Sequence, residues 1–242
     1  MRAPADGYTL LLLTTTNAIN ATLYEKLNFD LLNDIAPIAS FNQVPIVMVV
    51  NPAVPAKTIP EFIAYAKSNP GKLNMASTGT GNLSHLSGEL FNALASVNIV
   101  HVPYRGTPAA QADLLSGQVQ VMFDTLPALI GQMKSGKLHA LGVGTTGRWE
   151  ALPDLPAIGE FVPGYEASGM AGLAAPRKTP ANIVETLNRE INAGLADVGI
   201  ETRLADLGFA VLAGTSADFG KFMADEVNKW GRVVKLSGAK PG

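Results

Sequence analysis

Hydroxyls and glycines crowd the segment Ser77-Thr78-Gly79-Thr80-Gly81-Asn82, which lies between the strand-like run ending at Ala76 and the amphipathic run that starts at Leu83. Glycine lets backbone approach a bound group closely, and the hydroxyls of Ser77, Thr78, Thr80 and Ser84 are hydrogen-bond donors. Where a strand hands over to a helix, such a turn offers free backbone N–H groups and a positive partial charge to an anion. The same residues also suit an ordinary strand-to-helix turn with a good N-cap. Four further segments share the layout: Thr14-Thr15-Thr16-Asn17, Tyr104-Arg105-Gly106, Asp124-Thr125 and Thr145-Thr146 each follow an apolar run. If the strands run parallel, all five turns gather along one edge, where open parallel sheets bind ligands. Hydroxyls, one arginine, one tyrosine and two helix N-termini converging there suit a small carboxylate.

Other chemistries find less support. A phosphate-binding P-loop needs a Gly-Lys-Ser/Thr ending, and Asn82 follows Gly81 instead. The dinucleotide fingerprint has its first two glycines in "GTGNLS" but Ser84 at the third. No G-x-S-x-G elbow and no H-E-x-x-H occurs, and His85, His101 and His139 are not spaced as zinc ligands. Ser84 and His85 are adjacent, so on a helix their side chains diverge and form no nucleophile–base pair. His101 and His139 read as packed or hydrogen-bonded core residues, whereas His85, one turn into a helix, is either a neighbour of the ligand or structural. Asp124 would repel a carboxylate, so it either accepts from a ligand hydroxyl or ammonium, orients Thr125, or caps the helix that follows. Arg105 either pairs a ligand carboxylate or faces solvent.

The elements that must position these residues alternate along the chain. Strand-like runs at 8–13, 44–50, 73–77, 99–102, 119–123, 138–143 and 209–213 are interleaved with helical patterns. Thr58 with Glu61 forms a capping-box pattern, Thr179 with Pro180 a second helix start, and Thr215 or Ser216 opens a long helix that stops near Gly238. Phe219, Phe222, Met223, Val227, Trp230 and Val234 recur on one face of that helix. Gly117 and Gly136 sit where a left-handed residue closes a helix. Short βα units of this kind predict a largely parallel sheet covered by helices. The Gly- and Pro-rich stretch 147–178 reads as a link between two lobes, and 42–50 as the other crossing, because Pro45 suits a central strand poorly.

Composition sets the outer bounds. With 242 residues, 47% hydrophobic and 16% charged, the chain is ordered and large enough for a sizeable core. A net charge of −2 leaves no electrostatic footprint for nucleic acid. Cysteine is absent, which excludes disulfides and thiolate metal sites. The apolar runs are far shorter than a membrane span, and "RAPADGYTLL" after Met1 does not read as a signal peptide, having no apolar h-region with a small-residue cleavage site.

The segments "APADGYTLLL", "KTIPEFIAYAKSNPGKLNMASTGTGNLSHLSGELF", "IVHVPYRGTPAAQADLLSGQVQVMFD", "GKLHALGV" and "ALPDLPAIGEFVPGYEASGMAGLAAPRKTP" resemble, in order and over essentially the whole chain, the Bug-type solute receptors of tripartite tricarboxylate transporters. The resemblance implies an α/β, two-lobed periplasmic-binding-protein fold of the Venus-flytrap, type II-like kind with mostly parallel sheets. Residues 1–44 plus 169–242 would form one lobe and 45–168 the other, closing on a ligand held between them. It implies a receptor, not an enzyme, with no cofactor and no metal. The ligand would be a small carboxylate: a di- or tricarboxylate, an acidic amino acid, or an aromatic acid. The partners would be the membrane permease subunits, with no nucleic acid. Carried across, the ligand-binding residues are Thr15, Thr16 and Asn17 in one lobe. In the other they are Ser77, Thr78, Gly79, Thr80, Gly81, Asn82, Ser84, His85, Tyr104 and Asp124. Family members carry a signal peptide and a βαβ unit ahead of "APADGYTLL", whereas here Met1 stands directly before it. The resemblance thus implies a first lobe lacking that unit, with open sheet edges that favour self-association, and a periplasmic parent protein. The rival expectations are an enzyme acting on a small carboxylate with His85 or Asp124 as base, and a non-binding fragment that self-associates.

Overall fold

A computed structural model describes residues 3–241. The chain divides into two compact units, Met1–Val44 with Gly169–Val234 and Pro45–Ser168 with Lys235–Gly242. Numbered along the chain, the strands are β1 (Leu11–Thr14), β2 (Ile35–Val50), β3 (Asn74–Ser77), β4 (Val100–Pro103), β5 (Val121–Thr125), β6 (His139–Val143), β7 (Ser168–Pro176) and β8 (Ala210–Val211). The helices are α1 (Thr15–Leu23), α2 (Ile59–Ser68), α3 (Leu83–Ala95), α4 (Thr107–Ser116), α5 (Leu126–Lys134), α6 (Ala181–Leu195), α7 (Val198–Asp206) and α8 (Ser216–Ser237). Among the described residues, no helix is long and apolar enough to cross a membrane.

In the first unit, β1 runs antiparallel to β7, with Leu11 opposite Ala174, and β8 runs antiparallel to β2 at Asn42 and Gln43. Leu13, Ala18, Leu31, Ile35, Met170, Phe219 and Met223 form one apolar cluster. α8 starts on a reciprocal cap: the Thr215 N–H donates to Asp218 Oδ2 at 3.0 Å and the Asp218 N–H to Thr215 Oγ1 at 3.1 Å. Its apolar face buries Phe219, Met223, Trp230 and Val234, while Phe222 and Val227 pack at the cluster's margin. The Trp230 indole donates to buried Glu226 at 2.9 Å, and Lys229 pairs with the same carboxylate.

In the second unit, β3 pairs parallel with β4 and β5, and β2 pairs antiparallel with β5 and β6. The sheet order is therefore β6-β2-β5-β3-β4, with β2 opposed to the other four. The carboxyl ends of β3, β4, β5 and β6 consequently share one edge. Behind it, Phe91 lies 6.1 Å from Phe62, 5.5 Å from Phe123 and 6.2 Å edge-on from Tyr165. Each such ring pair adds about 0.5–1.5 kcal/mol beyond area burial.

The sheets depart from the sequence expectation in three ways. They are mixed, not mostly parallel, because β2 opposes its neighbours and the first unit's resolved ladders are antiparallel. The stretch 147–178, read as a link, does contain the boundary between the two units, at Ser168 and Gly169, but that boundary lies in the nine-residue strand β7. β2 begins at Ile35, nine residues before the predicted run. Pro45 is tolerated inside it because the ladder to β8 covers Asn42–Gln43 and that to β5 starts at Ile46, so its missing N–H interrupts neither. Two helix starts also differ in detail. Glu61 reaches back to the Lys57 N–H at 2.7 Å, while the Thr58 hydroxyl accepts from the Glu61 N–H. α6 begins at Ala181, and no side chain caps it.

Gly144, just beyond β6, donates to Ile46 O and accepts from the Ala167 N–H, each at 2.7 Å. A Cβ there would stand 2.3 Å from the Ala167 carbonyl oxygen, which is backbone and cannot swing away. Gly144→Ala should lower stability by about 2–3 kcal/mol, read as a reduced urea midpoint at unchanged slope. Gly147→Ala, with nothing within 4 Å, should stay within about 0.5 kcal/mol of the parent.

Candidate functional site

The turn between β3 and α3 is held by its own side chains. Asn82 caps α3, its Oδ1 accepting from the His85 N–H at 3.1 Å, while its Nδ2 donates to Thr78 Oγ1 at 2.6 Å. The amides of Leu83 and Ser84, first in the helix, have no intrahelical acceptor. Gly79 and Gly81 have φ of 146° and 77°, a region that disfavours any side chain. Ser84 is buried and turned away from the turn, its hydroxyl donating to Phe123 O. Ser77 is fully buried, its Oγ donating to Gly79 O at 3.1 Å. Thr80 is half-buried.

Three more turns lie on the same edge. Gly106, with φ of 100°, precedes α4 and carries no capping side chain, and Thr125 at the start of α5 makes no capping bond. The N-termini of α3, α4 and α5 thus converge with amides unclaimed by side-chain caps on α4 and α5. The Tyr104 hydroxyl donates to Asp113 Oδ2 at 2.7 Å, and burial followed by that carboxylate pushes its pKa up to about 12. Thr145 is buried and donates to Gly147 O at 2.7 Å, while Thr146 and Arg105 are exposed.

Asp124 is buried at the end of β5, one residue before the helix cap, so it is not itself the cap of α5. Its Oδ1 accepts from the Thr125 N–H at 2.8 Å, and its Oδ2 from the Thr107 hydroxyl at 3.4 Å. Burial raises its pKa to about 6, with those two hydrogen bonds opposing. Thr107, not selected from the sequence, joins the edge through this contact; a hydroxyl at the first turn of a helix after Gly106 was the signal available.

His85 and His101 stack with ring centroids 3.7 Å apart and planes 17° from parallel. His85 Nδ1 accepts from the Gly81 N–H at 3.1 Å, and His101 Nε2 meets Ser77 Oγ at 2.6 Å. Burial holds both pKa values down, to about 4, and the charge of His101 lowers His85 further. His101 is hydrogen-bonded as expected, but its partner belongs to the turn. His139 is exposed at the head of β6, not packed in the core, because the strand becomes buried only from Leu141 onward.

In the first unit, the Asn17 side chain accepts from the Thr14 N–H at 2.8 Å and from its hydroxyl at 3.2 Å, fixing the start of α1. Thr15 is buried, its Oγ1 accepting from the Met170 N–H at 3.0 Å, and Thr16 is half-buried. The sequence expectation that all five turns share one edge holds for four of them within the second unit; Thr14–Asn17 belongs to the first. Among the described residues, no group of three or more His, Asp or Glu side chains is placed to hold a metal.

Solved structures define the class. The chain is similar to R. palustris Rpa4515 with adipate at TM-score 0.91 and 33% identity, covering 100% of this chain and 81% of that one. It is similar to the periplasmic binding protein BugD at TM-score 0.87 and 31% identity, covering 100% and 82%. It is also similar to MatC (Rpa3494) from Rhodopseudomonas palustris with bound malate, at TM-score 0.85 and 31% identity over 96% and 81%. The two-lobed α/β fold is that of the periplasmic binding proteins. Residues 1–239 match the model of the tripartite tricarboxylate transporter family receptor, and the chain belongs to that family: a transport receptor, not an enzyme.

The raised pKa of Asp124 carries a sign. The folded state holds its proton more tightly than the unfolded chain, so the group costs nothing below its ordinary pKa near 3.8. Its full penalty is reached above about 6. Asp124→Asn keeps an acceptor for the Thr125 N–H and turns the second contact round, its Nδ2 donating to the Thr107 hydroxyl, and should raise stability by about 1–2 kcal/mol at pH 7.5 with no gain at pH 3.5. Urea denaturation of both proteins at the two pH values reads this directly.

Proposed function

We propose that this chain is a periplasmic receptor that binds a small carboxylate and hands it to the membrane subunits of a tripartite transporter, with dicarboxylates first among the candidate ligands. The observation that carries the reading is the shared edge of β3–β6. There the starts of α3, α4 and α5, the turn Thr78–Asn82 and a set of neutral hydroxyls offer donors to an anion. Adipate and malate in the two R. palustris relatives are both dicarboxylates, and BugD is named as periplasmic, which supports the class of ligand and the compartment. Thr78, Gly79, Thr80, Gly81 and Asn82 are proposed to contact the ligand directly. Ser77, Ser84 and His85, whose polar atoms are engaged within the protein, would shape the turn, with Tyr104 and Asp124 at its flank. In the first unit, Thr16 is the hydroxyl left for a ligand, with Thr15 and Asn17 fixing the start of α1.

A thermal-shift screen tests this. Adipate, malate, a tricarboxylate, an acidic amino acid and an aromatic acid would be compared with an uncharged sugar. A ligand at about 100 times its Kd should add about 2.7 kcal/mol, a rise in Tm of about 5–10 °C for a chain of this size. Thr80→Val should weaken the responding acid about tenfold while leaving the ligand-free Tm in place. A flat panel across all acids would refute the reading.

A further inference from the structure

The histidine pair does more than fill space, because both rings end on the turn that the proposed ligand would meet. Ser77 has one hydroxyl proton, which goes to Gly79 O. The 2.6 Å contact with His101 Nε2 therefore has the imidazole as donor, and His101 carries its proton on Nε2. His85 Nδ1 accepts from the Gly81 N–H, so it bears a lone pair and the proton of the neutral ring sits on Nε2. The stacking fixes each ring by the other. One ring thus holds the Ser77–Gly79 end of the turn, and the other holds Gly81 beside the helix cap.

We propose that the stacked His85–His101 pair is the lock of the β3–α3 turn, with His85 as the positioning residue, and that charging His85 opens the lock and weakens anion binding there. The weakening of binding rests on the carboxylate reading; the lock does not. A protonated His85 presents an N–H at Nδ1 to the Gly81 N–H, two donors face to face, so that hydrogen bond is lost. Charging His101 leaves its Nε2 donor intact, which assigns the switch to His85. The ionisable groups facing the pair are Glu89 on α3, whose Oε1 lies 3.8 Å from His85 Nε2, and the two rings themselves. Tyr104 is turned to Asp113, and Asp124 to Thr107 and Thr125. Glu89 gives the charged ring a partner on the side away from Gly81, so the open form has its own resting place. The depressed pKa sets the direction: the lock stays complete through the ordinary imidazole range and is lost as pH falls towards about 4.

Two variants and two readouts test this on the whole chain. His85→Leu keeps bulk but removes the acceptor; His85→Asn restores an acceptor near Nδ1 that no pH in the range can charge. In ligand-free protein, 15N spectra should show His85 Nδ1 unprotonated at pH 7. The Gly81 amide should shift with the His85 titration, and Gly81 should exchange faster in His85→Leu than in His85→Asn. With adipate as probe, His85→Leu should bind about tenfold more weakly at pH 7.5, and His85→Asn should recover most of that loss. Between pH 7.5 and 4.0 the parent should lose about twofold more affinity than His85→Asn, as half-charging of a ring with a pKa of about 4 requires, a comparison that cancels the titration of adipate itself. A Gly81 amide indifferent to the His85 titration would overturn the lock. So would parent-like binding by His85→Leu, or acid-strengthened binding present in the parent and absent in His85→Asn. If Gly81 follows His85 but no acid of the thermal-shift panel binds any of the proteins, the lock stands and the carboxylate reading falls.

Discussion

Parallel pairing of β3 with β4 and β5 constrains everything that follows in the second unit. A parallel ladder obliges the chain to return across a face before the next strand, so α3 and α4 must begin at the carboxyl edge. Met75 aligns with His101 in one ladder and with Val121 in the other. Met75, Ala76, Val121, Met122 and Phe123 are all fully buried, so both faces of these strands are covered, as a parallel ladder requires. Tyr165 extends the constraint: its ring packs on Phe91, and its hydroxyl reaches Ser87 O in α3 at 3.1 Å. The segment after β6 therefore steadies the helix whose first turn forms the candidate site.

Charge is kept low at that edge. The two histidines are neutral at physiological pH, Arg105 faces solvent, and the donors are amides and hydroxyls. Asp124 is the exception, and its position explains how it is tolerated. It accepts from Thr107, the first residue of α4, and from Thr125, which precedes α5, so two positive helix ends offset part of its burial cost. On the proposed function, the same helix ends are those offered to a ligand. Asp124 therefore spends part of the field that attracts an anion, and its protonation returns it.

Much of this was legible in the sequence where local chemistry decides the structure. Thr58 and Glu61, Thr215 with the helix of Phe219 to Val234, and the closing residues Gly117 and Gly136 all follow from capping and periodicity. The strands of the second unit were visible because each is a short apolar run. β7 was not: "SGMAGLAAP" is built of small residues without alternation, and its burial comes from neighbours that no local pattern reveals. The opposed direction of β2 was hidden for a similar reason, since strand sense is a property of connections. The histidine pair is the sharpest case. His85 and His101 are sixteen residues apart, and only the parallel register of β3 with β4 brings a helical and a strand imidazole face to face.

A receptor that must both capture an anion and give it up gains from this economy of charge. A buried arginine–carboxylate pair is costly to desolvate and costly again to break, so it favours retention. Neutral donors each contribute about 0.5–1.5 kcal/mol net, because water offers nearly equal bonds on release. Their weakness individually makes their placement decisive, since affinity then depends on how little the turn must be reordered when the ligand arrives. Asn82 spans the turn from Thr78 to the helix, Ser77 closes it from beneath, and the stacked imidazoles hold both ends. On the proposed reading, preorganisation by neutral side chains therefore replaces charge as the source of affinity, and the rigidity of Ser77–Asn82 is the quantity on which anion binding would turn.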